Sequence, residues 1–138
     1  MKFYYSNGQI KNDCEFLDGE IKGKVKQYDS DGQLLFEGEY LNGERNGKGR
    51  EYNYHDGKLI FEGEYLNDKR NGKGKEYDNN GQLLFEGQYF KDSEWIGTRY
   101  DNKGNIKYKL DNNINGKGKK YALYEETYFF IELFKIFL

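Results

Sequence analysis

Phe36-Glu37-Gly38-Glu39-Tyr40 returns as Phe61-Glu62-Gly63-Glu64-Tyr65 and again as Phe85-Glu86-Gly87-Gln88-Tyr89, at spacings of 25 and 24 residues. Asn46-Gly47-Lys48-Gly49 returns as Asn71-Gly72-Lys73-Gly74 and, after a gap, as Asn115-Gly116-Lys117-Gly118. A tyrosine ahead of a polar turn ending in glycine keeps the same phase: Tyr5/Gly8, Tyr28/Gly32, Tyr52/Gly57, Tyr77/Gly81 and Tyr100/Gly104. Three markers in phase over a hundred residues define a repeat array, and nothing constrains the fold more. About five units are readable, the clean ones between Lys24 and Tyr89. The ends decay: Cys14-Glu15-Phe16 replaces the first aromatic box, Trp95-Ile96-Gly97-Thr98 the Asn-Gly-Lys-Gly box, and Ile106-Lys107-Tyr108 the last glycine-centred one. Terminal units diverge because one side of them lacks a neighbour.

Each unit reads as a β-hairpin. Leu34 to Tyr40 alternates with period two, placing Leu34, Phe36, Gly38 and Tyr40 on one face. Asp31-Gly32, Asp56-Gly57 and Asn80-Gly81 are short-hairpin signals, and Asn42-Gly43 opens the other connection. No helix of ten or more residues is readable before residue 121. The predicted fold class is all-β, a single-layer twisted antiparallel meander of tandem hairpins. Mid-strand glycine weakens a sheet unless something needs the space. Gly38, Gly63 and Gly87 each lie between two aromatics, and the expectation is that they admit a ring from an adjacent strand. Phe36, Tyr40, Phe61, Tyr65, Phe85 and Tyr89 then form the repeated core.

Composition matters here because the chain is so hydrophilic, with a mean hydropathy of −1.10. Such a chain folds only if its aromatics are placed regularly, and 14 Tyr, 10 Phe and one Trp are. Proline is absent, which excludes collagen and proline-rich linkers. One cysteine and one histidine exclude a disulfide framework, a zinc cluster and a Cys/His relay. Twenty-two basic against 24 acidic residues leave a net charge of −2, which argues against nucleic acid as a partner.

The boxes Phe36-x-Gly38-x-Tyr40, Asn42-Gly43 and Gly47-Lys48-Gly49, repeated in the next unit, resemble the MORN repeat, over about residues 5–121. The second aromatic is tyrosine where the better-known repeats favour tryptophan, and the Lys/Arg-Glu-Tyr run before the turn looks more like the variant common in bacterial proteins, antitoxin and immunity proteins among them. The resemblance implies an elongated hairpin solenoid serving as a scaffold or interaction surface. It brings no catalytic residues.

Lysines and arginines recur at Lys24/Lys26, Lys48/Arg50, Lys73/Lys75 and Lys117/Lys119. One reading is a basic ladder for a phosphate-bearing partner or an anionic membrane. The favoured reading is cross-strand pairing with Glu37/Glu39, Glu62/Glu64 and Glu86, exposed pairs of about 0.2–1 kcal/mol each that set register. If Tyr40 stands opposite Gly47, Glu39 faces Lys48 and Glu37 faces Arg50. Asp29-Ser30-Asp31-Gly32 imitates part of a calcium loop but lacks the outer ligands, with Gln27 and Gly38 where acids are needed. His55 sits in the longest turn, where solvation is its ordinary state, and Cys14 beside the first box is read as an apolar filler. No catalytic residue, no cofactor-binding residue and no metal ligand is assigned, and an enzyme is not expected.

Residues 122–138 break the pattern, so the array is taken as 1–121. In helical phase Phe129, Phe130, Leu133, Ile136 and Phe137 share an apolar face, which suggests a short capping helix over an open sheet. A strand is the alternative. Self-association or reversible membrane contact through this segment are the sharper readings, and it is too short to span a bilayer. No targeting segment is read at the N-terminus, which makes cytoplasm the default. The functional expectation is a non-enzymatic scaffold binding a protein of unknown identity. Its alternatives are an antitoxin or immunity protein that neutralises a toxin, and a peripheral scaffold on anionic phospholipid.

Overall fold

The computed structural model describes residues 1–111, 119–124 and 127–132. Its strands are β1 (Lys2–Tyr4), β2 (Ile10–Leu17), β3 (Glu20–Tyr28), β4 (Leu34–Leu41), β5 (Glu44–Tyr52), β6 (Leu59–Leu66), β7 (Lys69–Tyr77), β8 (Leu83–Phe90), β9 (Ser93–Tyr100), β10 (Ile106–Asp111), β11 (Lys119–Tyr124) and β12 (Thr127–Glu132). They form one sheet in sequential order with every neighbour antiparallel, the meander that the hairpin repeat predicts. No described residue is helical. The capping helix expected at the C-terminus is therefore corrected over residues 127–132, which pair with β11 as strand. Tyr128, Phe129, Phe130 and Ile131 are aromatic and β-branched types that favour a pleated strand, and pairing engages the backbone polar groups that face β11.

The connections divide into two kinds, and Asp-Gly and Asn-Gly pairs occur in both. Two-residue turns with both φ positive join β2–β3, β4–β5, β6–β7 and β8–β9, through Asp18-Gly19, Asn42-Gly43, Asn67-Asp68 and Lys91-Asp92. That backbone matches the twist of the flanking strands, and Asn and Asp reach it more easily than most side chains. The Asp31-Gly32 and Asn80-Gly81 pairs end longer loops instead. There an aspartate folds back on the chain: Asp29 Oδ1 accepts from the Asp31 and Gln33 amides, and Asp78 Oδ1 from Asn80 and Gln82.

Register explains the strand glycines. Gly38, Gly49, Gly63, Gly74, Gly87 and Gly97 are successive cross-strand partners, so one glycine row crosses β4 to β9. Val25 and Cys14 continue it on β3 and β2. A methyl group at Gly63 would stand 2.6 Å from the Lys73 carbonyl oxygen and 2.7 Å from both Gly74 Cα and Phe61 Cζ. The ring that fills the trough is mainly Phe61 of the same strand, and the adjacent strand contributes its backbone. At Gly74 the next unit's Tyr89 also closes in, at 3.2 Å.

All eight buried apolar residues lie on this aromatic face: Cys14, Val25, Phe36, Tyr40, Phe61, Tyr65, Phe85 and Tyr89. Phe36, Phe61 and Phe85 are fully buried although the described residues form a single sheet. Each lies on the glycine trough with tyrosine edges against it. Phe36 meets Tyr40 and Tyr65 with centroids 6.0 and 5.4 Å apart, and Phe61 meets Tyr65 and Tyr89 at 5.7 and 5.1 Å. Edge-to-face pairs of this kind contribute about 0.5–1.5 kcal/mol beyond area burial.

Candidate functional site

Guanidinium groups close the top of the aromatic face. Arg45 Cζ lies 4.1 Å from the Phe36 centroid and Arg70 Cζ 4.0 Å from that of Phe61. Around them the charges alternate without a break: Arg45–Glu51 3.9 Å, Glu51–Arg70 3.0 Å, Arg70–Glu76 3.6 Å, Glu76–Arg99 3.7 Å, then Arg99–Glu94. Tyr65 donates to Glu51, Tyr89 to Glu76 at 3.1 Å and Tyr108 to Glu94 at 3.0 Å. Burial alone would raise the Glu51 carboxyl; hydrogen bonds from Arg70 and Tyr65, with both guanidinium charges, outweigh it and hold the carboxyl below its ordinary range. Burial, then the Glu51 carboxylate, pushes the Tyr65 phenol well up. These hydrogen-bonded and ion-paired side chains roof the core.

Sequence reading missed this network, although its signal was present. Arg45…Glu51 and Arg70…Glu76 are six residues apart, and the fourth unit reverses the order as Glu94…Arg99. The reversal keeps the signs alternating where the repeat decays.

The other face carries the candidate site. Every glycine of the row is flanked along its strand by residues pointing away from the rings, and at Gly38, Gly49, Gly63 and Gly74 these flanks match in sign. Glu37 and Glu39 flank Gly38, Lys48 and Arg50 flank Gly49, Glu62 and Glu64 flank Gly63, and Lys73 and Lys75 flank Gly74. Lys24 and Lys26 do the same at Val25. Acidic and basic bands thus alternate strand by strand, and the pattern ends in neutral residues: Gln88 on β8, then Ile96 and Thr98 on β9. Between the two walls runs a trench of about 1380 Å³ from Cys14 to Gly97, floored by the glycine row.

The expected pairing holds on one wall and fails on the other. Glu37 stands opposite Arg50, and Arg50 opposite Glu62, with ion-pair distances of 3.7 and 3.5 Å. Tyr40, however, faces Arg45 rather than Gly47. A bulge at Gly47 sets Asn46, Gly47 and Lys48 against Glu39, and Lys48 stands opposite Glu64 of β6 without an ion pair. In the next hairpin the Glu64 carboxylate accepts from the Lys73 amide at 2.7 Å and occupies the bulge. Tyr52, Tyr77 and Tyr100 fix the acidic wall by donating to Glu37, Glu62 and Glu86 at 2.6, 2.7 and 2.8 Å. Burial and the Glu62 hydrogen bond push the Tyr77 phenol up to about 12. Among the described residues, Lys24, Lys26, Lys48, Lys73 and Lys75 make no ion pair within 4.0 Å.

Family models now complete the comparison. The MORN repeat matches residues 36–58 and 61–83, and the MORN repeat variant matches residues 1–18 and 21–42. The chain is a MORN-repeat protein. No curated protein matches it. MORN repeats are generally scaffolds of protein or membrane interaction, and the repeat is a non-catalytic family.

The remaining sequence candidates sit apart from the trench or at its edge. Cys14 is buried at the start of the glycine row, and burial raises its thiol. His55 stacks on Tyr54 in the β5–β6 loop, centroids 3.7 Å apart. Phe129 and Phe130 fall on β12, while Leu133, Ile136 and Phe137 lie outside the described residues. Leu17, Leu41, Leu66 and Phe90 form an exposed apolar line, one per unit, that sequence reading did not single out. Among the described residues, no helix is long and apolar enough to cross a membrane.

Proposed function

We propose that this MORN array is a non-enzymatic scaffold that binds another protein along the glycine-floored trench. The observation that carries the reading is the trench itself. It spans eight strands, its floor is backbone, and five wall lysines hold no ion pair among the described residues. Mid-strand glycine suits close approach of another chain. The banding argues against an anionic bilayer, because a flat anionic surface would meet carboxylates as often as ammonium groups. A toxin is one partner this reading admits, and assaying a captured protein with and without the array decides that version.

The test is capture from extracts of the native cells with the full chain. Wild type is compared with Lys48→Ser/Lys73→Ser, whose fold is checked by circular dichroism. A protein retained by wild type and lost from the variant supports the reading. Retention on vesicles of anionic lipid, with no protein captured through the trench, overturns it.

A further inference from the structure

The trench has a period, a width and a sign pattern, and together they restrict what can lie in it. Its walls are residues two apart on one strand, with Cα atoms only about 6.7 Å apart. An α-helix with side chains is about 10–12 Å across and cannot reach such a floor. Equivalent bands recur every second strand, about 9.6 Å along the trench. Three residues of a polyproline II chain advance about 9.3 Å, whereas two turns of α-helix advance about 10.8 Å. Across three like bands the extended chain drifts by about 0.6 Å and the helix by about 2.4 Å.

The floor adds a second restriction. The backbone of β4 to β9 is paired on both sides in the sheet ladder. It offers no strand edge, so an occupant that must add as a strand finds no partners there. A polyproline II chain needs no such ladder. The sign pattern supplies the third restriction. A polyanion placed over the basic bands of β5 and β7 meets the Glu37/Glu39 and Glu62/Glu64 bands between them, so linear anions are disfavoured.

We infer that the trench is built for an extended polypeptide segment of a partner protein, in which basic side chains recur at every third residue with acidic ones between. Basic groups sit over the acidic bands of β4 and β6 and over Glu86 of β8, and acidic groups over the basic bands of β5 and β7. At β9 the charges give way to Ile96 and Thr98, so the end of the segment that lies there carries an apolar residue. This assignment rests on the scaffold reading above and specifies its partner.

The test uses the full chain and a fluorescein-labelled peptide of three Lys-Glu-Pro triplets followed by leucine, titrated by anisotropy at low salt. The comparison peptide has the same composition with its charges scrambled. The triplet peptide is expected to bind at least tenfold more tightly than the scrambled one. It should also weaken tenfold or more with the Glu62→Lys/Glu64→Lys variant. Equal binding of the two peptides, no binding of the triplet peptide at millimolar concentration, or preference for inorganic polyphosphate overturns the assignment. The peptide comparison uses wild-type protein, so it stands even where the variant misfolds. Should capture of a native protein still require Lys48 and Lys73 while the triplet preference is missing, the scaffold reading survives and the triplet assignment fails.

Discussion

Replacing Gly63 by alanine is the sharpest probe of how a single layer buries its core. The added methyl would sit 2.6 Å from the Lys73 carbonyl oxygen, 2.7 Å from Gly74 Cα and 2.7 Å from Phe61 Cζ. Two of those atoms are backbone in the paired strand, and relief requires a shift of about 0.7 Å or more at a cost of about 1–3 kcal/mol. If the Phe61 ring yields instead, it gives up part of the burial of a full side chain, about 1.5–3 kcal/mol. Either route leads to an expected loss of about 2–4 kcal/mol. Gly43→Ala is the control. Its φ is +78° in a two-residue turn with nothing within 4 Å, so only the left-handed backbone strain of about 1–2 kcal/mol applies. Urea unfolding followed by far-ultraviolet circular dichroism and tyrosine fluorescence compares the two. A Gly63→Ala loss no larger than that of Gly43→Ala would refute the glycine-trough account.

Other expectations follow from the charged roof. Arg70→Met leaves Glu51 and Glu76 short of a cation and should cost about 2–3 kcal/mol by urea unfolding. Arg70→Lys should recover less than half of that, since lysine loses both the bidentate contact and the stack on Phe61. Glu94→Arg alone places like charge beside Arg99 and destabilises; adding Arg99→Glu should restore at least half the loss, read as a double-mutant cycle. The Glu51 carboxyl is lowered in the fold, so its contribution is present above the unfolded value near pH 4.3 and is lost as pH falls through the folded one. Wild type should therefore lose more stability than Glu51→Gln between about pH 5 and pH 3. At the alkaline end Tyr77 and Tyr108, each pushed up to about 12, retain their protons after the unfolded chain has lost its own. That contribution is present below the ordinary phenol value near 10 and is lost as pH rises toward 12, which phenolate absorbance against pH measures.

The all-β meander was legible because it depends on periodicity, and the Phe-x-Gly-x-Tyr box fixes both the face and the phase. Register was legible only in part. Glu37 opposite Arg50 follows from the box, but the bulge at Gly47 shifts Lys48 to the next strand, and no local feature separates a bulge glycine from a turn glycine. The tight turns were misplaced for a related reason. Asp-Gly and Asn-Gly suit a two-residue turn and also the end of a loop closed by an aspartate, as at Asp29 and Asp78. The like-charged flanks of Gly38, Gly49, Gly63 and Gly74 were visible as triplets, yet their meaning depends on the glycines standing in one row, a tertiary fact. The aromatic run from Tyr128 to Ile131 fits helix and strand phases alike, and strand pairing with β11 is what forms.

The claim that the trench is the working surface is tested most directly by site-specific photocrosslinking in the native cells. A photoreactive amino acid is placed at Lys48 and Gln88, exposed on the trench walls, and at Asp31 and Lys103, exposed in the loops. The account predicts adducts with another polypeptide at the two wall positions and none at the loops. Adducts confined to Asp31 or Lys103, with the wall positions silent, would contradict it.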